Sequence, residues 1–261
     1  MENILRKALS ENRTLIGTRM WSTDPVMTEV VGRTGLYHYV EFAAEYSDFT
    51  QQDLSNIARA AELHGMGSMI KVDFQNRKYV AQKAVGSGFQ AVLFADHRTA
   101  EEVAESVQAI RPMTPGVDGV FGMPTRRFIG MDHRASQEAH IRRLMDIVAC
   151  FMIEKKETIE NLEAILSVPG VDMVQFGPSD YSMSMGWNRQ EHAQELKDIE
   201  ARIIEAALRH GVRPRCEINS AEEADWYKAQ GVKDFSLGDE VKILEAYLKA
   251  EGARLIDRVK D

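Results

Sequence analysis

Cysteine is nearly absent from this chain. Cys150 and Cys216 are the only two in 261 residues. Both sit in apolar runs that read as buried strands, so each thiol reads as a small core residue and no disulfide framework is expected. Long hydrophobic runs are missing as well. No stretch approaches the roughly 20 apolar residues that cross a bilayer. The first residues, with Glu2, Arg6, Glu11 and Arg13, carry no signal-peptide core, which leads to the expectation of a cytoplasmic protein without a membrane partner. There is no basic surplus: the formal net charge is -8, with the acids scattered. A nucleic-acid partner is therefore not expected. Pro/Ser-rich linkers and low-complexity tracts are also lacking, and so is a glycine-rich phosphate turn after the first strand candidate. These absences argue against a chain of several domains and against a doubly wound dinucleotide fold. The remaining composition, 44% apolar and 28% charged, is that of an ordinary enzyme with a full core.

Short apolar runs rich in Val, Ile, Phe and Met alternate with amphipathic stretches, the pattern of a parallel sheet with crossover helices. Eight runs read as strands: Thr14 to Met20, Tyr37 to Glu45, Ser68 to Phe74, Ala91 to Ala95, Ile147 to Glu154, Met173 to Gly177, Arg213 to Asn219 and Asp234 to Gly238. Helical patterns run over Gln51 to Leu63, Thr99 to Ile110, Lys156 to Leu166, Gln190 to Arg209 and Ala221 to Ala229, several opened by Thr or Ser as N-caps. Eight β/α repeats over this length predict one domain, a (β/α)8 TIM barrel spanning 1–261. The segment Pro112 to Arg134 breaks the rhythm with Pro, Gly and the clustered Arg126, Arg127 and Arg134. It reads as an active-site or interface loop.

Chemistry in such a barrel is carried at the carboxyl ends of the strands. The polar residues there are Trp21, Glu45, Tyr46, Lys71, Asp96, His97, Glu154, Asp180, Glu217 and Asp239. Glu154 ends the run Val148-Ala149-Cys150-Phe151-Met152-Ile153, so a carboxylate surfaces at the barrel mouth and needs a partner. The plainer alternative is a strand-end acid paired with Lys155 or Lys156. Asp180 closes Phe176-Gly177-Pro178-Ser179-Asp180, where a strand ends in glycine and a sharp turn leaves backbone N–H groups to face an anion. The plainer alternative there is a helix N-cap. One Glu and one Asp on adjacent strands supply two hard oxygen ligands and leave positions for waters and a chelating substrate. That set suits Mg²⁺ or Mn²⁺, with Co²⁺ as a further candidate, better than zinc.

The string Phe151-Met152-Ile153-Glu154, followed by Ile159 to Val168 and then Pro169-Gly170-Val171-Asp172 through Gly177-Pro178-Ser179-Asp180 to Gly186, resembles the HpcH/HpaI aldolase family. The likeness extends to Gly17, to Asp24-Pro25 and to Glu45 through Leu54, and covers nearly the whole chain. It implies a barrel of the phosphoenolpyruvate/pyruvate-binding type. The implied activity is that of a class II, metal-dependent aldehyde-lyase, which cleaves a 4-hydroxy-2-keto acid to pyruvate and an aldehyde through a stabilised enolate. By the same resemblance Glu154 and Asp180 hold the metal, while Gly177, Pro178 and Ser179 form the turn that receives the substrate carboxylate. Trp21 and Lys71 are implied as further substrate contacts. Homo-oligomers, as trimers of dimers, are implied too, with the helix at about 240–259 (its amphipathic stretch is Val241 to Val259) exchanged between subunits.

The chain departs from the family at the groups that move protons. Lys71 stands where relatives carry arginine, a point charge in place of a planar fork. The family's Asp-x-Glu-His string after the second strand is here Ala43-Ala44-Glu45-Tyr46. Three carriers compete for the proton: a hydroxide on the metal, Tyr46 acting with Glu45, or different chemistry on the same enolate. His38, His97 and His133 are not placed by any pattern and read as loop or strand-end histidines. Met152 stands where relatives have glutamine, and the arginine cluster reads as solvated surface. Met183 and Met185 read as packing residues beside Asp180. Alternative activities are a citrate-lyase-β-like acyl-CoA lyase, a non-catalytic 2-keto-acid-binding barrel and a class I mechanism with Lys71 as Schiff base.

Overall fold

A computed structural model of the chain describes residues 2–123, 127 and 131–260. Eight parallel strands close on themselves in sequence order, each paired with its chain neighbours, and the last pairs with the first. They are β1 (Leu15–Met20), β2 (Tyr39–Ala43), β3 (Gly67–Val72), β4 (Ala91–Phe94), β5 (Val148–Ile153), β6 (Met173–Phe176), β7 (Arg213–Ile218) and β8 (Asp234–Asp239). All eight expected strands are present, shortened by a residue or two at most ends. Parallel strands have both faces covered, which is why their apolar runs were continuous enough to read.

The helices were less legible. The expected stretches appear as α3 (Gln51–Leu63), α5 (Ala100–Ala109), α10 (Ala193–Arg209), α11 (Ala224–Ala229) and α12 (Glu240–Val259). Lys156 to Leu166 is two helices, α7 (Lys156–Glu160) and α8 (Leu162–Leu166), because Asn161 leaves the helical region between them. Five more were not anticipated: α1 (Ile4–Ser10), α2 (Pro25–Arg33), α4 (Arg77–Ser87), α6 (Gln137–Met145) and α9 (Pro178–Met185). Among the described residues no helix is long and apolar enough to cross a membrane.

Two apolar layers hold the fold. Outward-facing strand residues such as Val40, Phe42, Ile70, Phe151 and Val174 pack under the helices against Leu54, Ile57, Val103, Ile165 and Ile203. Inward-facing residues, among them Tyr39, Met69, Leu93, Cys150 and Met173, fill the barrel, and Leu5 and Ala8 of α1 join them. Both cysteines are free and buried. The barrel interior is apolar only in part. On the β1, β2, β6 and β7 side Arg215 meets Glu41, Gln175 and Tyr39, and Arg19 bridges Glu41 and Glu217. Against the penalty of burial, Arg215 and then Arg19 hold the Glu41 carboxyl down at about 2.

The segment from Pro112 does not reach the barrel mouth in its described residues. It follows α5 and lies at the amino-terminal end of the strands, where Arg127 pairs with Glu62 near the end of α3 and the Val120 N–H reaches the Gln108 carbonyl. The reading of it as an active-site loop is therefore corrected. Chain spacing could not decide between the two faces, because a helix–strand connection and a strand–helix connection look alike in composition. Arg126 lies outside the described residues, and Arg134 is exposed.

Candidate active site

The alternation of each strand decides what enters the mouth. Ile153 packs outward, so Glu154 turns inward at the end of β5, where it is 1% exposed. Its Oε1 accepts the Asp96 backbone N–H at 2.8 Å, while Oε2 is buried with no hydrogen-bond partner among the described residues. Burial pushes this carboxyl up to about 7 against the pull of Lys71 and of the Asp96 N–H, and the Asp96 and Asp180 charges push it the same way as burial. Asp96 supplies its N–H from a left-handed turn, φ 63°, a conformation that aspartate tolerates better than most residues. Its side chain is 2.6 Å from the Lys155 Nζ, so the alternative in which Lys155 pairs with Glu154 is not what forms: Lys155 pairs with Asp96.

Lys71 points inward from β3, since Ile70 and Val72 belong to the outer layer. Its Nζ lies 2.5 Å from Glu45 Oε2 and 5.4 Å from the centre of the Tyr46 ring. Burial opposes its charge, but Glu154 and then Glu45 outweigh it, and the ammonium is held above its usual range. A Schiff-base nucleophile must be a neutral amine, so this environment counts against the class I reading. Tyr46, 62% exposed, sits 6.1 Å from Trp21 ring to ring. Partial burial, then Glu45 and Asp180, raise its phenol, so at neutral pH it is a donor and not a base. The loop carrying Trp21 is tied down by Glu240, whose Oε1 accepts the N–H groups of Trp21 and Ser22 at 2.5 and 2.6 Å.

Gly177 ends β6 beside Glu154, and a Cβ there would sit 2.7 Å from the Glu154 Cβ. Pro178 opens α9 at its first position and Asp180 lies in its first turn. The Gly177 N–H is taken by the Ile153 carbonyl at 3.0 Å, which removes it from the expected anion cradle. The first-turn N–H groups of Ser179 and Asp180 are what a helix start leaves over. The Ser179 hydroxyl accepts Arg189 Nη1 at 2.9 Å. Outside Glu154 the mouth opens into a cleft of about 500 Å³ lined by Glu45, Tyr46, Asp73, Phe74, Asp96, Arg98 and Lys155 among others.

Several candidates stand elsewhere. His97 is fully buried behind β4, with Nε2 2.6 Å from the Ser106 hydroxyl and Phe74, Phe94 and Phe151 edge-on around it. His38 Nδ1 accepts the Ile16 N–H at 3.0 Å at the opposite end of the barrel, and His133 is exposed in the segment before α6. Asp239 caps α12 by accepting the Lys242 N–H at 2.9 Å. The sequence reading passed over Arg19 and Glu41. Their signal was present: charges of opposite sign at inward positions of otherwise apolar strands, Arg19 in β1 and Glu41 in β2, match Arg215 and Glu217 in β7.

A carboxylate oxygen without a partner, an acid on the next strand's helix and a buried ammonium at one barrel mouth suit the enzymes that use cations to steady a carbanion beside a carbonyl. The chain belongs to the HpcH/HpaI aldolase/citrate lyase family, whose model matches residues 44–242. As such it is a carbon–carbon lyase of the aldolase type. It is 29% identical over 210 residues to the 2-keto-3-deoxy-L-rhamnonate aldolase of Salmonella gallinarum, an overlap of 80% of this chain and 74% of that relative. Its backbone matches the HpcH/HpaI aldolase of Desulfitobacterium hafniense with a TM-score of 0.88 at 22% identity, covering 99% of this chain and 98% of that one. Citrate synthase SbnG matches with a TM-score of 0.87, also at 22% identity, covering 98% of this chain and 99% of that one. Likeness at that level is a likeness of fold, and the side chains at the mouth decide the chemistry.

Proposed function

We propose that this chain cleaves a 4-hydroxy-2-keto acid to pyruvate and an aldehyde, and runs the reverse addition, at the mouth formed by β2, β3, β5 and β6. The observation that carries the reading is the buried, unpartnered Oε2 of Glu154. An orphaned carboxylate oxygen in so closed a place asks for a cation. Glu154 and Asp180 would hold a divalent ion, with Mg²⁺ or Mn²⁺ fitting a pair of hard oxygen donors. When bound, the ion supplies a Lewis acid for the keto oxygen.

The chain's own groups do the rest. Cleavage breaks the bond between C3 and C4, leaves its electron pair on C3 as an enolate and frees the C4 hydroxyl proton. The Lys71 ammonium, held by Glu45, faces the negative charge that grows on the 2-keto oxygen. The Tyr46 ring stands against the Lys71 ammonium that Glu45 holds. We assign the C4 hydroxyl proton to Glu45 as the base, with the Tyr46 hydroxyl only relaying it, and C3 of the enolate takes a proton from solvent to complete pyruvate; in the addition direction Tyr46 donates to the new alkoxide. Trp21 and the turn Gly177-Pro178-Ser179 are assigned to substrate contact, the two free first-turn N–H groups being suited to a carboxylate.

Homo-oligomers, as trimers of dimers with α12 exchanged, belong to the same proposal. Its support is the exposed apolar face of α12, where Ile243, Leu244, Tyr247, Leu248, Leu255 and Ile256 lie open to solvent. A cytoplasmic setting is supported by the two unpaired, buried thiols.

The test is pyruvate release from a panel of 4-hydroxy-2-keto acids with and without Mg²⁺ or Mn²⁺, for the wild type and for Glu154→Ala. Metal-dependent release that the substitution abolishes is the expected result. Pyruvate binding with no turnover under either metal would leave a binding barrel, and turnover confined to acyl-CoA esters would mark the acyl-CoA lyase.

A further inference from the structure

Glu217 is an acid at the barrel mouth that the proposed reaction leaves without a task. On β7, Cys216 and Ile218 pack outward with Ile204 and Tyr227, so Arg215 and Glu217 point into the barrel. Arg215 is closed off below, with its side chain fully buried, whereas the Glu217 side chain keeps 28% exposure. For an inward residue in the upper part of a barrel, that exposure faces the mouth. Arg19 Nη1 and Nη2 hold the two Glu217 oxygens at 3.0 and 2.6 Å, a two-pronged contact that orients the carboxylate plane. Gln175 Nε2 reaches Oε2 from β6 at 3.4 Å. A carboxylate has about four lone-pair positions, and these three donors leave one on Oε1.

We infer that Glu217 selects the aldehyde half of the substrate by accepting a hydrogen bond from one of its hydroxyls, and that Arg19 is the positioning residue that aims it. The inference rests on the aldolase reading and adds the class of aldehyde: neutral and hydroxylated. β7 adjoins β6, and β6 leads into the turn to Asp180. On this inference, a chain whose keto-acid end is held at Glu154 and Asp180 extends toward β7 and passes over the exposed edge of Glu217. An ionised acceptor there welcomes an O–H and repels an anionic tail. Arg19 does not offset that repulsion, because its charge is already matched by Glu41, which accepts from Nε at 3.0 Å, and by Glu217, which accepts one N–H from each terminal nitrogen.

The experiment measures kcat/KM for the addition of pyruvate to glycolaldehyde, acetaldehyde and succinic semialdehyde, with Mg²⁺, for the wild type, Glu217→Gln and Arg19→Lys. Both variants keep side-chain size, and thermal melting checks that they fold. The wild type is expected to prefer glycolaldehyde over acetaldehyde, and Glu217→Gln to cut that preference about tenfold, as exchanging a charged acceptor for a neutral amide does. It is also expected to raise relative activity on the semialdehyde. Arg19→Lys moves both ratios the same way, by less. Unchanged ratios in folded Glu217→Gln, or an equal loss on all three aldehydes, overturn the inference and leave the aldolase reading standing. Deuterium exchange into the pyruvate methyl group by the wild type tests that reading separately. If there is neither exchange nor addition, both fall.

Discussion

At Gly177 the chain passes so close to Glu154 that an added Cβ would meet the Glu154 Cβ at 2.7 Å, its Oε2 at 2.8 Å and the Met152 Cε at 2.9 Å. Only a residue without a side chain lets β6 end there with the carboxylate upright. Gly177→Ala is therefore expected to displace the glutamate, and with it one ligand of the proposed cation. Calorimetric titration should show Mn²⁺ binding weakened tenfold or more, while urea unfolding records a loss of about 1–3 kcal/mol from overpacking. Unchanged Mn²⁺ affinity would remove Glu154 from the ligand set. The glycine was visible in the sequence as a turn signal, but its reason was not. Which side chain its missing Cβ makes room for depends on β5 standing beside β6.

Among the elements, α12 buries the least of its length against the rest of the chain. It carries 20 residues, yet Glu240 is its one buried residue, and its apolar side chains lie open along its length. An exposed face of that kind marks an interface. If the proposed oligomer forms through α12, Leu244→Glu with Leu248→Glu is expected to lower the mass found by multi-angle light scattering, with the barrel's far-ultraviolet circular dichroism kept. If the variant and the wild type have the same mass, α12 is not the exchanged element. The strands were legible because both of their faces are buried and most of their residues are apolar, whereas several helices were not. α4 buries Arg77 and Ser87 beside Val80 and Ala84, so its apolar stripe is blurred. α9 is short and opens on a proline within what reads as a turn.

For the whole molecule, His97 links the core to acid stability. Burial, and then the charge of Arg77, depress its imidazole from 6.5 to about 3. The unfolded chain takes up this proton below 6.5 and the folded chain does not until about 3. The stability it contributes is thus fully present above 6.5 and lost as pH falls through that window, at up to about 1.4 kcal/mol per pH unit. Glu154 and Asp234, pushed up to about 7, work the other way, since the folded state binds their protons first. Comparing His97→Gln with the wild type cancels their part. Urea unfolding at pH 7 and pH 5 should show the stability of the variant changing more favourably on acidification than that of the wild type, and an equal change would mean that the imidazole is not held neutral.

Local order along the chain was enough to determine eight strands, their parallel succession and a barrel, because a parallel strand buried on both faces must be apolar and a crossover helix must separate it from the next. It also placed Glu154 and Asp180 at neighbouring strand ends, through residues near each other in the chain. Contacts between distant strands were decided by tertiary structure alone. Lys71 meets Glu45 and not Asp73, the Asp96 N–H steadies Glu154, and Arg19 reaches both Glu41 and Glu217. Each of these depends on the stagger at which the strands close into a barrel, and the closure that brings β1 beside β8 sets β7 across from β1. No spacing within a single strand encodes that register, so the charged half of the barrel interior became visible only once the sheet was closed.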